Sequence, residues 1–377
     1  MIDGARVLND HVLSALRSLE PESVDCCVTS PPYWGLRSYG TDPQVWGGSI
    51  DCSHDWDVLE ATHSPGRDWD PTSGNSKVGR SGTAAGQAGA PSFRCSICGA
   101  WLGHLGLEPT PDLYAAHLVE VFQEVRRVLK PDGILWLNLG DSFARSGNTS
   151  RIDRSIRGSS DGCVRRSDRA PIRIGAEGLK RKDLVGIPWL IAFALRADGW
   201  YLRSDVIWSK PNAMPQSVKD RPTSSHEYVF LLSKSERYYY DASSILEPFA
   251  DQRRGADGSR APSERNRGGR ADGYTNPNGI DPSANGGRNA RSVWEISTKP
   301  YKGAHFAVFP RELPKRCILA GSREGGTVLD PFAGSGTTLE VALSLSRRAI
   351  GIELNPEYVS LIHDRLAAIT PGLRFEE

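Results

Sequence analysis

Apolar residues recur along the chain in stretches that alternate between strand and helix rhythm. Arg6-Val7-Leu8 predicts a short strand, and Val12, Leu13, Leu16 and Leu19 form the apolar stripe of a helix over 10–19. A second strand, 24–28, runs into the string Thr29-Ser30-Pro31-Pro32-Tyr33-Trp34. Next come a helix over 112–129, stopped by Pro131-Asp132-Gly133, and a strand over 134–139. Residues 186–197 predict a helix, and 202–208 and 228–232 predict two strands close enough to pair antiparallel. The chain closes with helix 311–320, strand 327–330, a glycine turn, helix 337–345, strand 348–353 and a last helix. This alternation predicts an α/β fold, a mostly parallel sheet covered by helices and carrying one antiparallel hairpin.

Three segments break the rhythm. Residues 41–105 form an insertion rich in Gly, Ser, Thr and Pro, too polar over 61–92 to build a core. Residues 145–182 carry eleven Lys/Arg against four Asp/Glu, and 250–292 carry eight Arg against five acids, with eight glycines. The net charge of the whole chain is only +1, so the basic excess is local. It suits contact with a polyanion such as DNA, and equally a solvated loop. Arg151, Arg154, Arg157, Arg165, Arg166 and Arg169 are the candidates for phosphate contacts. No apolar run reaches the roughly 18 residues of a membrane span, and the N-terminus lacks a secretory profile, so a cytoplasmic protein is expected.

Thr327 to Leu339, TVLDPFAGSGTTL, reads as strand, tight turn and helix start. Gly334 and Gly336 would let the backbone approach a ligand that a Cβ would push away. The third glycine of a dinucleotide fingerprint is missing and no Gly-Lys-Ser/Thr follows, so neither a nicotinamide site nor a phosphate-binding loop fits. Glu353, at the end of the next strand, can accept both hydroxyls of a ribose. The pattern points to a nucleoside.

Asp330-Pro331-Phe332-Ala333-Gly334-Ser335-Gly336-Thr337-Thr338, taken together with Thr29-Ser30-Pro31-Pro32-Tyr33, resembles the S-adenosylmethionine-dependent DNA amino-methyltransferases. The resemblance extends in blocks over 5–40, 112–142, 183–240 and 296–365. It implies a Rossmann-like methyltransferase sheet in which the Asp330–Thr338 stretch is the cofactor loop and Ser30, Pro31, Pro32 and Tyr33 are the catalytic motif. The catalytic motif precedes the cofactor motif, as in the permuted group called beta. On that pattern 1–40 and 106–240 form the catalytic part, 296–377 the cofactor-binding part and 241–295 a target-recognition segment. Asp10 falls near the cofactor's adenine, and His305-Phe306 and Phe309-Pro310 fall at its methionine end. DNA is the implied substrate, S-adenosyl-L-methionine the cofactor, a bacterium or phage the source, and a cognate restriction endonuclease a partner.

An exocyclic base amine is a poor nucleophile because its lone pair is delocalised into the ring. Acceptors that hold the amine, here Ser30 Oγ and the Pro31 carbonyl, would turn that lone pair toward the methyl donor. Two prolines pre-set the carbonyl direction, and Tyr33 offers a face for a base swung out of the duplex. Cys26 and Cys27 sit inside a strand as packing residues, which argues against C5-cytosine chemistry. In related enzymes Ser before Pro-Pro-Tyr goes mainly with cytosine N4 and Asp with adenine N6, so cytosine N4 is favoured and adenine N6 is the alternative. A catalytically inactive zinc-bearing nucleic-acid binder and a glutamine-amide methyltransferase are the readings from other classes. Asp141 either lines the base pocket or caps the following turn.

Cys95-Ser96-Ile97-Cys98-Gly99 has the shape of a zinc knuckle, and Cys52-Ser53-His54 supplies two further ligands. The set Cys52, His54, Cys95 and Cys98 is expected to hold a structural zinc that staples the insertion, with His63 and His104 as alternative ligands.

Overall fold

The computed structural model describes residues 4–35, 41–49, 51–59, 92–144, 179–180, 182–248, 287–298 and 309–369. The six arginines named above, His63 and His305-Phe306 lie outside the described residues.

Among the described residues, one sheet has eight strands. In spatial order they are β1 (Ala5–Leu8), β12 (Arg348–Ile352), β11 (Thr327–Asp330), β2 (Val24–Thr29), β7 (Leu129–Leu139), β9 (His226–Ser233), β8 (Tyr201–Ser209) and β10 (Val293–Glu295). β9 is antiparallel to both of its neighbours, and every other pairing in the sheet is parallel. The central strands are buried on both sides, which is why they read as continuous apolar runs.

Strand alternation divides the core in two. Cys27, Leu135 and Leu137 join the cluster built with α1 (Val12–Arg17), α2 (Pro111–Val128) and α3 (Ile187–Ala197). Cys26, Val28, Ile134 and Trp136 join the cluster built with α4 (Glu312–Gly321), α5 (Thr337–Ser344) and α6 (Pro356–Ile369). Among the described residues, three α-helices therefore cover each face. Cys26 and Cys27 are fully buried, one on each side of β2, and burial pushes both thiols well above their ordinary range.

The structure departs from the sequence pattern in three places. Pro131-Asp132-Gly133 does not separate the helix from the strand: the helix ends at Val128 and these three residues lie within β7, which begins at Leu129 and whose pairing with β2 shifts register between Val24 and Cys26. Part of the expected recognition segment is sheet, since β10 pairs with β8 through Val293, Trp294 and Glu295. The insertion, whose polar stretch 61–92 falls almost entirely outside the described residues, carries strands of its own. Its strands β3 (Gln44–Trp46), β4 (Trp56–Leu59), β5 (Ser92–Cys95) and β6 (Trp101–Gly103) form a four-stranded antiparallel sheet. Trp46 and Trp101 from that sheet are buried in the first core cluster, each stacked against His117 of α2.

Candidate active site

Because all strands of the large sheet except β9 run the same way, the loops after β1, β2, β7, β8, β11 and β12 meet the start of β9 on one edge. β11 and β2 are neighbours, yet the chain leaves β11 toward β12 on one side and β2 toward β7 on the other. Such a reversal opens a crevice at the carboxyl ends of the strands, where α/β proteins bind ligands.

On the β11 side, Asp330 is only 2% exposed and accepts a 2.6 Å hydrogen bond from Thr29 Oγ1 and a 3.1 Å bond from the Phe332 N–H. Burial raises its carboxyl to about 6. Gly334 N–H donates to Glu353 Oε2 at 2.8 Å, and Asn355 N–H donates to Oε1 at 2.8 Å. Burial likewise lifts Glu353 to about 7. Each of its oxygens keeps a second lone pair, so a diol can still be accepted. Asn9 Nδ2 donates to the carbonyls of Glu353 and Leu354, which sets the exposed Asp10 beside this turn.

Gly336 precedes α5 with φ 78°, and a Cβ there would lie 3.0 Å from Ile362 of α6. Its bareness serves a left-handed cap and close packing on α6. Ser335 and Thr337 also face α6, where Arg365 donates to Thr337 Oγ1 at 2.6 Å and to Ser335 Oγ at 3.3 Å. Thr338 Oγ1 donates to the Val28 carbonyl at 3.4 Å. Pro331 is buried, Phe332 packs against the first core cluster, and Phe309 packs against the second.

On the β2 side the Tyr33 hydroxyl is fully engaged. It donates to Glu227 Oε2 at 2.8 Å and accepts from Asn138 Nδ2 at 2.8 Å and from Ser30 Oγ at 3.2 Å. Asn138 Nδ2 also reaches Glu227 Oε2 at 3.0 Å, while Asn138 Oδ1 is buried without a partner among the described residues. Lys210 Nζ pairs with Glu227 Oε1 and lies over the Trp208 ring, 4.3 Å from its centroid. Burial and the nearby Glu227 charge push the Tyr33 phenol well above its usual range, so it stays protonated and able to donate. Gly140 permits the approach of the ring, because a Cβ there would lie 2.7 Å from Tyr33 Cε2.

The loop after β2 is fastened from outside as well. Tyr114 donates to the Pro32 carbonyl at 2.7 Å, Gly35 N–H to the Gly106 carbonyl at 2.8 Å, and Trp34 Nε1 to the Glu108 carbonyl at 3.0 Å. Glu108 is buried, with Oε2 on the Gly106 N–H and Oε1 3.0 Å from His117 Nδ1. Asp141 accepts from the N–H groups of Ser142, Gly186 and Ile187, so its carboxylate caps the start of α3.

Cys52, His54, Cys95 and Cys98 converge within the insertion, their ligand atoms all within 4.8 Å of one another. Cys52 Sγ and Cys95 Sγ are 3.8 Å apart, and Cys98 Sγ is 3.4 Å from His54 Nδ1. Tetrahedral zinc with its usual bond lengths needs about 3.8 Å between two sulfurs and about 3.6 Å between sulfur and nitrogen. The donor set and spacing fit that ion. His104 is not in the cluster.

Asn138, Lys210, Glu227, Asn9 and Asn355 were not singled out from the sequence. A usable signal for one pair was present: Glu227 is a lone carboxylate opening an apolar strand, and Trp208-Ser209-Lys210 closes the strand before it.

A family model described as DNA methylase matches residues 24–364. The type II methyltransferase M.SmaI of Serratia marcescens is 41% identical over 96% of this chain and 90% of its own length. M.Cfr9I of Citrobacter freundii is 39% identical over 97% and 88%. Among solved structures, the cytosine-N4-specific PvuII DNA methyltransferase superposes with a TM-score of 0.53 at 16% identity, covering 98% of this chain and 88% of that one. With its paired motifs facing each other across the β2–β11 crevice, the chain belongs to the S-adenosylmethionine-dependent DNA amino-methyltransferases.

Proposed function

We propose that the chain methylates the N4 amine of cytosine at a specific DNA sequence. The observation that carries this reading is the adjacency of the two halves: Thr29, next to Ser30, is hydrogen-bonded to Asp330 at the head of the glycine turn. S-adenosyl-L-methionine, when bound along the Asp330–Thr338 turn, supplies an electrophilic methyl group. Glu353 takes the ribose hydroxyls on its free lone pairs, and Asp10 stands by the adenine. Pro331, Phe332 and Phe309 give the apolar wall. Across the crevice Ser30 Oγ and the Pro31 carbonyl accept the two amine hydrogens, Pro32 holds the turn, and the Tyr33 ring backs the extruded base.

Serine at position 30 favours cytosine, and the same fold carries a cytosine-N4-specific enzyme. Adenine N6 is the second reading, since both amines present the same two hydrogens to Ser30 and Pro31. The four-ligand cluster holds a structural zinc, and an endonuclease reading the same sequence is the partner its type II relatives suggest. The test is to methylate mixed-sequence duplex DNA, digest it to nucleosides and identify the product by mass. N4-methylcytosine is expected; N6-methyladenine as the sole product overturns the cytosine assignment.

A further inference from the structure

Ser30, Tyr33 and Glu227 form a directed chain of hydrogen bonds that leads inward from the crevice. Ser30 Oγ–H donates to Tyr33 Oη, Tyr33 Oη–H donates to Glu227 Oε2, and nothing in the chain points the other way. The phenol oxygen also accepts from Asn138, so both of its acceptor positions are filled and its own proton has one destination. Glu227 opens the antiparallel strand β9, and the only other residues tied to its carboxylate among the described ones are Asn138 and Lys210. A carboxylate sunk behind a catalytic hydroxyl pair is not needed to hold a stacking ring, which packing alone would seat. It costs desolvation, which the Lys210 pairing offsets.

We propose that Glu227 is the proton sink of the reaction, receiving through Tyr33 and Ser30 the proton that the target amine must lose. This rests on the assignment of Ser30 to that amine. The amine lone pair forms the new N–C bond as the S–CH3 bond breaks with its electrons going to sulfur, which leaves the nitrogen cationic. Its surplus proton passes to Ser30 Oγ, the Ser30 proton to Tyr33 Oη, and the Tyr33 proton to Glu227 Oε2. The products are a neutral methylamine, two neutral hydroxyls and a neutral carboxylic acid. Asn138 and Lys210 are positioning residues that keep Oε2 aimed at the phenol. The relay serves cytosine and adenine alike.

Glu227 acts at a distance, so its test needs a readout that loss of support alone would not move. The groups facing its carboxyl are Tyr33 from the loop after β2, the neutral Asn138 of β7 and Lys210 from the loop after β8. His226 and Tyr228, its neighbours in β9, alternate to the other face of the strand. Glu227→Gln keeps an acceptor for Tyr33 but cannot take a proton. Single-turnover methylation of duplex DNA is measured with saturating S-adenosyl-L-methionine. The Gln variant should be slower by about 10²-fold or more, with cofactor and DNA affinity unchanged. Glu227→Asp, which keeps a base, should recover at least about 10-fold of that loss, whereas a merely structural role would favour Gln, the closer isostere of Glu, over Asp. A Gln variant at wild-type rate, or one at least as fast as the Asp variant, overturns the relay. If Ser30→Ala is also fully active, the assignment of Ser30 fails with it; an inactive Ser30→Ala beside a normal Glu227→Gln sinks the relay alone.

Discussion

Thr29 and Asp330 are 301 residues apart in sequence, and their side chains meet at 2.6 Å. The bond crosses the gap between β2 and β11, where the chain reverses direction through the sheet, and so sets the spacing between the catalytic string and the glycine turn. Asp330 is buried and held near 6, well above the value of a free carboxyl. Below about pH 4 it is protonated in the folded and unfolded chain alike. Between about pH 4 and pH 6 only the unfolded chain releases the proton, so stability falls as pH rises and the loss is complete above 6. A shift of about 2 units corresponds to about 3 kcal/mol. Urea unfolding of the cofactor-free wild type should therefore weaken from pH 4 to 6.5, and Asp330→Asn should reduce that slope, leaving the part that comes from Glu353, which burial lifts to about 7. Parallel slopes in the two proteins would show that Asp330 is not the group responsible.

Glu353 makes its two contacts with backbone N–H groups, one in the glycine turn and one in the turn that opens α6. Removing the carboxylate frees both turns and takes away the acceptor for a ribose. Glu353→Ala should lower S-adenosyl-L-methionine affinity at least about 10-fold, the scale of one charge-assisted hydrogen bond. Glu353→Gln can replace only one of the two acceptors and should fall between. Titration calorimetry decides, and wild-type affinity in the Ala variant would take Glu353 out of the site.

How much of this was legible in the sequence depended on the range of the interactions involved. The strand–turn–helix at Thr327–Leu339 and the string Ser30–Tyr33 are local, so residue types at fixed spacing were enough to locate them. The partners of Tyr33 are not local. Asn138 and Glu227 come together because β7 and β9 pair antiparallel, with Asn138 opposite Val229 and Leu139 opposite Tyr228, and no periodicity encodes that register. β10 is three residues long within a polar, glycine-rich stretch, too short to show an alternation. The insertion's stretch 61–92 is too polar to build a core, and Trp46 and Trp101, which flank it, bury themselves in the main core.

Tyr33 combines a ring that is packed in place with a hydroxyl shared by three side chains. Tyr33→Ala should abolish turnover while cofactor affinity, which depends on the β11 side, stays within about twofold. Tyr33→Phe keeps the ring but leaves Glu227, Asn138 and Ser30 each short of a partner. A residue that only stacked would tolerate the change; here a loss of at least about 10-fold in single-turnover rate is expected. Wild-type rate in the Phe variant would reduce the hydroxyl network to scaffolding.

The four metal-type ligands lie in and beside the small sheet that leads to the catalytic loop. Cys95 closes β5 and Cys98 follows three residues later; Cys95 Sγ lies 3.8 Å from Cys52 Sγ, and Cys98 Sγ lies 3.4 Å from His54 Nδ1. β5 pairs with β6, which carries Trp101 into the core, and the chain then reaches Gly106 and Glu108, whose carbonyls hold Gly35 and Trp34. Purified protein should contain about one zinc per chain, since three thiols and an imidazole at tetrahedral spacing bind that ion strongly. Cys95→Ser should lose the zinc and make the segment around 50–105 sensitive to protease. Its turnover should fall while its affinity for S-adenosyl-L-methionine, which depends on the β11–β12 side of the large sheet, is kept. If the zinc-free variant methylates DNA at the wild-type rate, the small sheet does not support the catalytic loop. If elemental analysis finds no zinc in protein prepared without chelator, the four residues hold no structural zinc, and the cluster is only a group of neighbouring side chains.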